Sequence, residues 1–232
     1  MKPNLARPIF TSLIAIILAL LILNIWSYLY LNNYYNTEID RFYKIFNFNE
    51  EKNLPSVFSG SLHFFASIIL ALIASSRLKI KKRKFFWWSL SLIFLFLGLD
   101  EILRIHEKLN SVVTASVETS GIFFYAWVIP YGIILIIIAL SYYKSLFELP
   151  KKAAINFVSA GVIFVAGALG MEMFTGWYID ANNLAGLEIN TIPEIFILYT
   201  IEELLEMLGI SFFIFSLLNF LSKYKRIESS SL

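Results

Sequence analysis

The sequence of 232 residues contains no cysteine and only two histidines. The absence of cysteine excludes disulfide bonds, thiolate metal sites, iron–sulfur clusters and cysteine nucleophiles. Charged residues are also scarce, at 16% of the chain against roughly 25% in soluble domains, and 58% of the residues are hydrophobic. This composition, with a mean hydropathy of +0.71, is typical of a protein embedded in a bilayer. Any metal ion would have to be held by oxygen atoms and imidazole.

Six apolar runs are each long enough to cross a hydrocarbon core, which needs about 20 residues of α-helix. They lie near residues 8–30, 56–77, 85–107, 122–143, 153–174 and 193–222. The first run is too long for a signal peptide, and no small-residue cleavage site follows Tyr30, so we expect it to be retained. The sequence therefore predicts one all-α domain over residues 1–232, a polytopic bundle of about six transmembrane helices.

Basic residues occur at every second boundary between these runs. The clusters are Lys2 and Arg7, Lys79 to Lys84, Lys144 with Lys151 and Lys152, and Lys223, Lys225 and Arg226. The other connecting segments, 31–55, 108–121 and 175–192, contain fewer lysines and arginines. By the positive-inside rule both termini are cytoplasmic, and these three segments face outward.

Several residues indicate packing or anchoring rather than chemistry. All five tryptophans are predicted to be interfacial anchors in contact with lipid. Ala166 and Gly170, with Gly167 between them, have the small-xxx-small spacing that lets helices approach closely. Pro130 falls inside the fourth run and is expected to kink that helix. Residues 31–54 contain several phenylalanines and predict an interfacial helix.

Ionisable residues also occur within the apolar runs, where they are costly and usually functional. They are Asp100, Glu101, Arg104, His106 and Glu107 in the third run, Glu172 in the fifth, Glu202, Glu203 and Glu206 in the sixth, and His63 in the second. At ~1.5 Å per residue, Glu101, Glu172 and Glu206 lie roughly 24–30 Å from the cytoplasmic face. Three separate helices are thus predicted to present carboxylates at a similar depth in the outer half of the bundle.

The helical period predicts which of these residues face one another. On a continuous third helix, Asp100, Arg104 and Glu107 share one face. His106 then points away, so it can meet the carboxylates only if the helix unwinds there. In the sixth run the three glutamates share a face about 100° wide. Three carboxylates on one turn need a cation, a proton or an arginine between them.

Structural interpretations of these residues remain open beside the functional one. His106, Glu107 and Lys108 are near enough to the outer boundary for their polar ends to reach the interface. The three glutamates of the sixth run are flanked by apolar residues on both sides, where one acid costs ~2.5–3.5 kcal/mol, and this favours function. Glu172 is intermediate. A lone buried histidine such as His63 is more often a hydrogen-bonded bundle residue than a ligand.

Two segments carry a resemblance to other proteins. LDEILRIHEKL (Leu99 to Leu109) and YTIEELLEMLG (Tyr199 to Gly209) resemble the paired motifs of an uncharacterised group of bacterial multipass membrane proteins. The resemblance covers about two of the predicted spans and implies that the two motifs belong together. It implies no activity. The expected location of the protein is the bacterial inner (plasma) membrane.

The first functional hypothesis is a metal-dependent membrane enzyme. The candidate ligands are Asp100, Glu101, Glu172, Glu202, Glu203, Glu206 and His63. A carboxylate-rich set favours Mn, Fe, Mg or Ca over Zn as the divalent metal. His106 is the candidate ligand or general base, Glu107 and Arg104 are catalytic candidates beside it, and the substrate is expected to be a lipid or a quinone. The Glu-x-x-His pairs of di-iron bundles do not occur in this sequence.

Two other classes of function are consistent with the same residues. In a proton or cation pathway the carboxylates pass ions along and Arg104 adjusts their charge, but the inner halves of the spans are almost uniformly apolar. In a non-catalytic subunit the buried charges select helix register and partner, and a haem variant would use His63 and His106 as axial ligands. The expected partners are membrane lipids, a lipid-soluble substrate and an oligomer or complex. No nucleic-acid motif is present.

Overall fold

The computed structural model describes residues 5–33, 37–50, 52–76, 84–187 and 192–229. The helices are α1 (Ala6–Asn33), α2 (Thr37–Phe46), α3 (Leu54–Ser75), α4 (Lys84–Leu103), α5 (Ile105–Thr114), α6 (Val128–Phe147), α7 (Lys151–Val165), α8 (Glu172–Ala181) and α9 (Pro193–Ser229). A 3₁₀ turn at Gly121–Phe123 precedes α6, and a π-helical segment at Ala166–Met171 joins α7 to α8. Within the described ranges there is no β-strand, so the predicted all-α class is confirmed.

The predicted number of spans is also confirmed. In the described part of the chain, six helical stretches are long and apolar enough to cross a membrane, namely Ala6–Asn32, Leu54–Ser75, Lys84–Leu103, Val128–Phe147, Lys151–Ala181 and Pro193–Lys223. The protein is therefore an integral multipass membrane protein. An even number of spans places both chain ends on one side, and the basic residues predict that this side is cytoplasmic. We call the opposite side the outer face.

The long helix α9 forms the centre of the bundle and packs against α1, α3 and α7. Its buried side contains Met207, Ile210, Ile214 and Leu217, which recur every three or four residues. α3 and α4 form a second closely packed pair, whereas α6 lies at the edge of the bundle and is mostly exposed to lipid. α3 therefore contacts both of the motif-bearing helices, α4 and α9.

Glycines allow the closest contact between the fifth and sixth spans. A Cβ atom at Gly209 would lie 2.6 Å from the backbone nitrogen of Phe164, and one at Gly167 would lie 2.8 Å from the carbonyl oxygen of Glu202. The helix backbones touch there, in the way that the small residues of the fifth run predicted. Gly167 makes this contact, whereas a Cβ at Gly170 would meet only an atom of its own segment.

One helix start differs from the sequence-based expectation. α6 begins at Val128, so Pro130 lies in the first turn, where its missing N–H has no helical acceptor to lose. The predicted kink at Pro130 is therefore wrong.

α2 confirms a helix within residues 31–54, and it is anchored by Tyr43, whose hydroxyl lies 3.2 Å from that of Tyr199. Burial raises the pKa of Tyr43 to about 12.

Candidate functional site

The third span breaks inside its charged motif. Arg104 adopts the left-handed conformation, with φ 57° and ψ 48°, and separates α4 from α5. A residue other than glycine in this region costs on the order of 1–3 kcal/mol, and such strain concentrates at functional sites. The prediction that Asp100, Arg104 and Glu107 share one continuous helix face is therefore wrong. The alternative, in which the helix unwinds and His106 can turn towards the carboxylates, is the observed one.

Asp100 holds the two sides of this break together. Its Oδ1 atom accepts a hydrogen bond from the backbone N–H of His106 at 2.8 Å and lies 3.4 Å from the Nδ1 atom of the same residue. Asp100 therefore caps the first turn of α5 from the last turn of α4, as an N-cap side chain does. The contact turns the imidazole of His106 back towards the buried Asp100.

Arg104 and Glu107 lie at the rim of the site. They form an ion pair, and their side chains are 38% and 44% exposed. An ion pair with this exposure contributes about 1 kcal/mol or less to stability. These two catalytic candidates therefore border the outer surface, whereas Asp100 and His106 face inward from the same motif.

A second irregularity positions Glu172. The π-helical segment ends directly before this residue, and single π-turns within α-helices are frequent at functional sites. The Oε1 atom of Glu172 accepts a hydrogen bond from the indole N–H of Trp127 at 2.9 Å. The indole also packs against His106, with ring centroids 5.0 Å apart. Trp127 thus connects the fifth span to the broken third span.

The prediction that all five tryptophans are lipid-facing anchors is wrong for two of them. Trp127 is 7% exposed and Trp87 is 1% exposed, so both lie inside the protein. Sequence reasoning missed Trp127 as a site residue because an indole before an apolar run is most often an interfacial anchor. Its partner is Glu172, 45 residues along the chain, and no local pattern indicates that pairing.

The carboxyl groups of the fifth and sixth spans meet beside this indole. The side chains of Glu202 and Glu172 are within hydrogen-bonding contact of each other. Glu203 interacts electrostatically with Glu202. Glu206, one turn along α9, interacts electrostatically with carboxylates of the third and fifth spans and with His106. We call the resulting group the carboxylate cluster, and its members are Asp100, Glu101, His106, Glu172, Glu202 and Glu206.

His63 lies deeper in the bundle than the cluster and is 2% exposed. Its Nδ1 atom is 3.0 Å from the carbonyl oxygen of Ser59. Because a carbonyl oxygen only accepts hydrogen bonds, Nδ1 carries the ring proton and Nε2 is an acceptor. Nε2 is buried and has no hydrogen-bond partner, although the ring interacts electrostatically with Asp100. The structure thus contains a buried acceptor without a donor next to the cluster.

An open cleft of about 710 Å³ lies on the outer side of the cluster. Its walls include Asn110, Thr114, Glu118 and Tyr125. Tyr125 also interacts electrostatically with Glu172 and Glu202, so it lies between the cleft and the cluster. Burial raises the pKa of Tyr125, and the nearby Glu172 raises it further.

The predicted ligand set does not surround a single point in this arrangement. Across the part of the chain that the structure describes, no three histidine, aspartate or glutamate side chains have the spacing of a metal site. The contacts are pairwise instead, as in Glu172 with Glu202 and Asp100 with His106. A metal-binding assignment therefore stays a proposal.

Comparison with known proteins identifies a family and no activity. No curated protein and no solved structure matches this chain. Residues 13–220 match a domain of unknown function, DUF8692, and this match extends from the first span to the last. This match is consistent with the predicted membership of an uncharacterised group. The chain belongs to the DUF8692 family.

Proposed function

We propose that the carboxylate cluster is a reversible cation-binding site that opens to the outer face. The observation that carries this proposal is the contact between the carboxyl groups of Glu172 and Glu202, with Glu206 one turn away. Carboxylates this close repel one another in apolar surroundings unless a proton or another cation lies between them. His106 is the one basic member of the cluster, and Arg104 already pairs with Glu107 at the rim.

The chemistry of the cluster favours hard cations among the metal ions. Its side chains supply mainly carboxylate oxygens, which suit Mn, Fe, Mg or Ca better than Zn. A bound ion would have to bring side chains that now meet in pairs around one point. Two of the segments that carry these side chains depart from a regular α-helix, at Arg104 and directly before Glu172. Metal ions and protons compete for the same oxygens, so metal affinity is expected to rise with pH.

The test compares the wild type with a Glu202→Gln, Glu206→Gln double variant of the detergent-purified protein. We expect near-stoichiometric Mn, Fe, Mg or Ca by elemental analysis of the wild type, and loss of that metal in the double variant. A metal at 100 times its dissociation constant also stabilises the protein by about 2.7 kcal/mol, which a thermal midpoint detects. Glu194→Gln is the matched control, because Glu194 is an exposed glutamate on the same helix.

Two results would contradict the proposal for metal ions. One is a wild type that carries no metal and shows no rise in thermal midpoint with any of the four metals at pH 8. The other is equal metal binding by the wild type and the double variant, since the metal would then lie elsewhere. A loss of binding in Glu194→Gln as well would indicate a general effect of charge on α9 rather than a site.

Transport of protons or cations is a second candidate function, and a buried polar stripe favours it. Ser59, His63 and Ser67 recur every four residues along α3 and are all buried. The hydroxyl of Ser67 donates to the carbonyl oxygen of Ser91 at 2.7 Å, and Ser91 donates in return at 2.9 Å. One turn closer to the cytoplasmic end, the indole N–H of Trp87 is buried without a partner. These groups extend from the cluster into the cytoplasmic half of the bundle, which is otherwise almost uniformly apolar.

Proton flux into liposomes tests this candidate. With a pH-sensitive dye inside the vesicles and a potassium diffusion potential, we expect faster acidification with the wild-type protein than in protein-free vesicles. His63→Phe is expected to return the rate to the protein-free value, because it interrupts the stripe. Ser89→Ala is the control, since Ser89 is only partly buried on α4 and its hydroxyl donates to carbonyl groups of its own helix. Equal rates with and without the wild-type protein would rule proton transport out.

A further inference from the structure

The open cleft on the outer side of the cluster is lined by neutral polar groups and one negative charge. The polar groups are the amide of Asn110, the hydroxyls of Thr114, Thr119 and Ser120, the carboxylate of Glu118 and the phenol of Tyr125. Among the described residues that line the cleft, Glu118 is the only charged one. A cleft lined by one sign of charge raises the local concentration of ions of the opposite sign. Its volume of about 710 Å³ also leaves space for several water molecules, each of which takes about 30 Å³ in the liquid. The lining therefore suits hydrated cations and disfavours anions.

Tyr125 lies where this cleft meets the fifth span. A Cβ atom at Gly176 would lie 3.0 Å from the Cβ atom of Phe124 and 3.1 Å from the Cδ2 atom of Tyr125, so both residues pack on the bare backbone of α8. Gly176 follows Glu172 by four residues, roughly 6 Å along the helix towards the outer face. The ring of Tyr125 therefore lies about one helical turn outward of Glu172, with which it also interacts electrostatically.

The segment that carries Tyr125 is attached to α8 at both ends. At its start, the backbone N–H of Gly121 donates to the Oδ2 atom of Asp180 at 2.7 Å. At its end, the indole of Trp127 donates to Glu172 at 2.9 Å. Gly121 has a φ of 58°, a left-handed conformation that glycine adopts at little cost, and a Cβ there would meet no atom within 4 Å. Loss of the bond to Asp180 would therefore release one end of the segment, while Trp127 keeps the other end at the cluster.

We propose that hydrated cations reach the carboxylate cluster through this cleft, and that the ring of Tyr125 is the gate between the cleft and the cluster. The bond between Gly121 and Asp180 holds the gate closed. This inference rests on the proposed cation-binding function and adds the route and the rate control of the same site. A gate of this kind determines how fast cations enter and leave, more than how tightly they bind.

The test measures access with thiol reagents, because the chain contains no cysteine and an introduced cysteine is its only thiol. Glu202→Cys places a thiol in the cluster, and Thr114→Cys places one in the cleft as the matched control. The full-length variants in nanodiscs are treated with 2-aminoethyl methanethiosulfonate, which is a cation, or with its 2-sulfonatoethyl analogue, which is an anion. Each rate is divided by the rate of the same reagent with 2-mercaptoethanol.

With Tyr125 in place, we expect Glu202→Cys to react with the cationic reagent about tenfold more slowly than Thr114→Cys, since the reagent has to wait for the ring to move. Tyr125→Ala is expected to raise the rate at Glu202→Cys about tenfold and to leave the rate at Thr114→Cys within about a factor of two. Tyr125→Phe keeps the ring, so both rates stay as they are, which separates the gate from an effect of the hydroxyl. Asp180→Ala is expected to raise the rate at Glu202→Cys about threefold, because it releases one end of the segment.

A second reporter keeps the test decisive if Glu202→Cys does not fold. Glu206→Cys lies one turn further along α9 and is expected to show the same dependence on Tyr125. The thermal midpoint of each variant checks that it is folded. In the Tyr125→Ala background, the cationic reagent is expected to react with either reporter about fivefold faster than the anionic one, because the cleft and the remaining cluster are acidic.

Two results would overturn the gate. One is a cluster reporter that reacts as fast as Thr114→Cys while Tyr125 is present, and the other is a rate that Tyr125→Ala leaves unchanged. Equal rates with the cationic and the anionic reagent would overturn the cation route.

The labelling needs no bound cation, so its outcome is independent of the elemental analysis. If metal is bound and the labelling ignores Tyr125, the route is wrong and the metal site stands. If no metal binds and the labelling follows Tyr125, the gate stands and the metal-ion form of the proposed function fails.

Discussion

Replacing Gly209 with alanine is expected to lower the free energy of unfolding by about 1–3 kcal/mol and to weaken cation binding at the same time. The added Cβ atom would lie 2.6 Å from the backbone nitrogen of Phe164 and 2.8 Å from its Cα atom. Backbone atoms cannot rotate away as a side chain can, so α7 and α9 would have to separate. Because Glu206 lies one turn from Gly209, that separation would also move its carboxyl group away from Glu172.

The measurement is the thermal midpoint of the purified protein, followed by tryptophan fluorescence. At about 2–4 °C per kcal/mol for a chain of this size, the expected decrease is about 2–12 °C. Gly132→Ala is the control, since a Cβ at this position meets no neighbouring atom. An unchanged midpoint in Gly209→Ala would show that the α7–α9 contact is looser than the structure indicates.

Replacing Asp100 with leucine is expected to destabilise the start of α5 by about 1–2 kcal/mol, the usual effect of removing an N-cap side chain. Leucine is similar in size, but it cannot accept the hydrogen bond that the N–H of His106 donates to Asp100. It also removes the acid beside the imidazole, and with it the contact that turns His106 towards the cluster. Asp100→Asn is the matched variant, because an amide oxygen still accepts the bond without the charge.

Hydrogen exchange at the amide of His106 measures this effect directly. A loss of 1–2 kcal/mol corresponds to roughly 5–30-fold faster exchange in Asp100→Leu. We expect Asp100→Asn to exchange at nearly the wild-type rate but to bind cations more weakly, since it keeps the cap and loses the charge. Equal exchange in the leucine variant and the wild type would mean that Asp100 does not hold the break at Arg104.

The sequence by itself determined the class of the protein and the depth of its acidic residues. In a bilayer, the backbone polar groups of an apolar run must bond within the run, so each of the six runs forms a helix. The fixed rise of an α-helix then converts position in the chain into depth, which is why Glu101, Glu172 and Glu206 were expected at one level. Their mutual interactions agree with that expectation.

Only the tertiary structure decided how these residues face one another. The left-handed Arg104, the π-helical segment before Glu172 and the bond from Trp127 depend on contacts between helices that are distant in the chain. Lipid is as apolar as the interior of the bundle, so hydrophobic periodicity does not show which face of a span points inward. Depth is therefore a property of each segment alone, whereas the cluster and the unpaired nitrogen of His63 exist only after the helices pack.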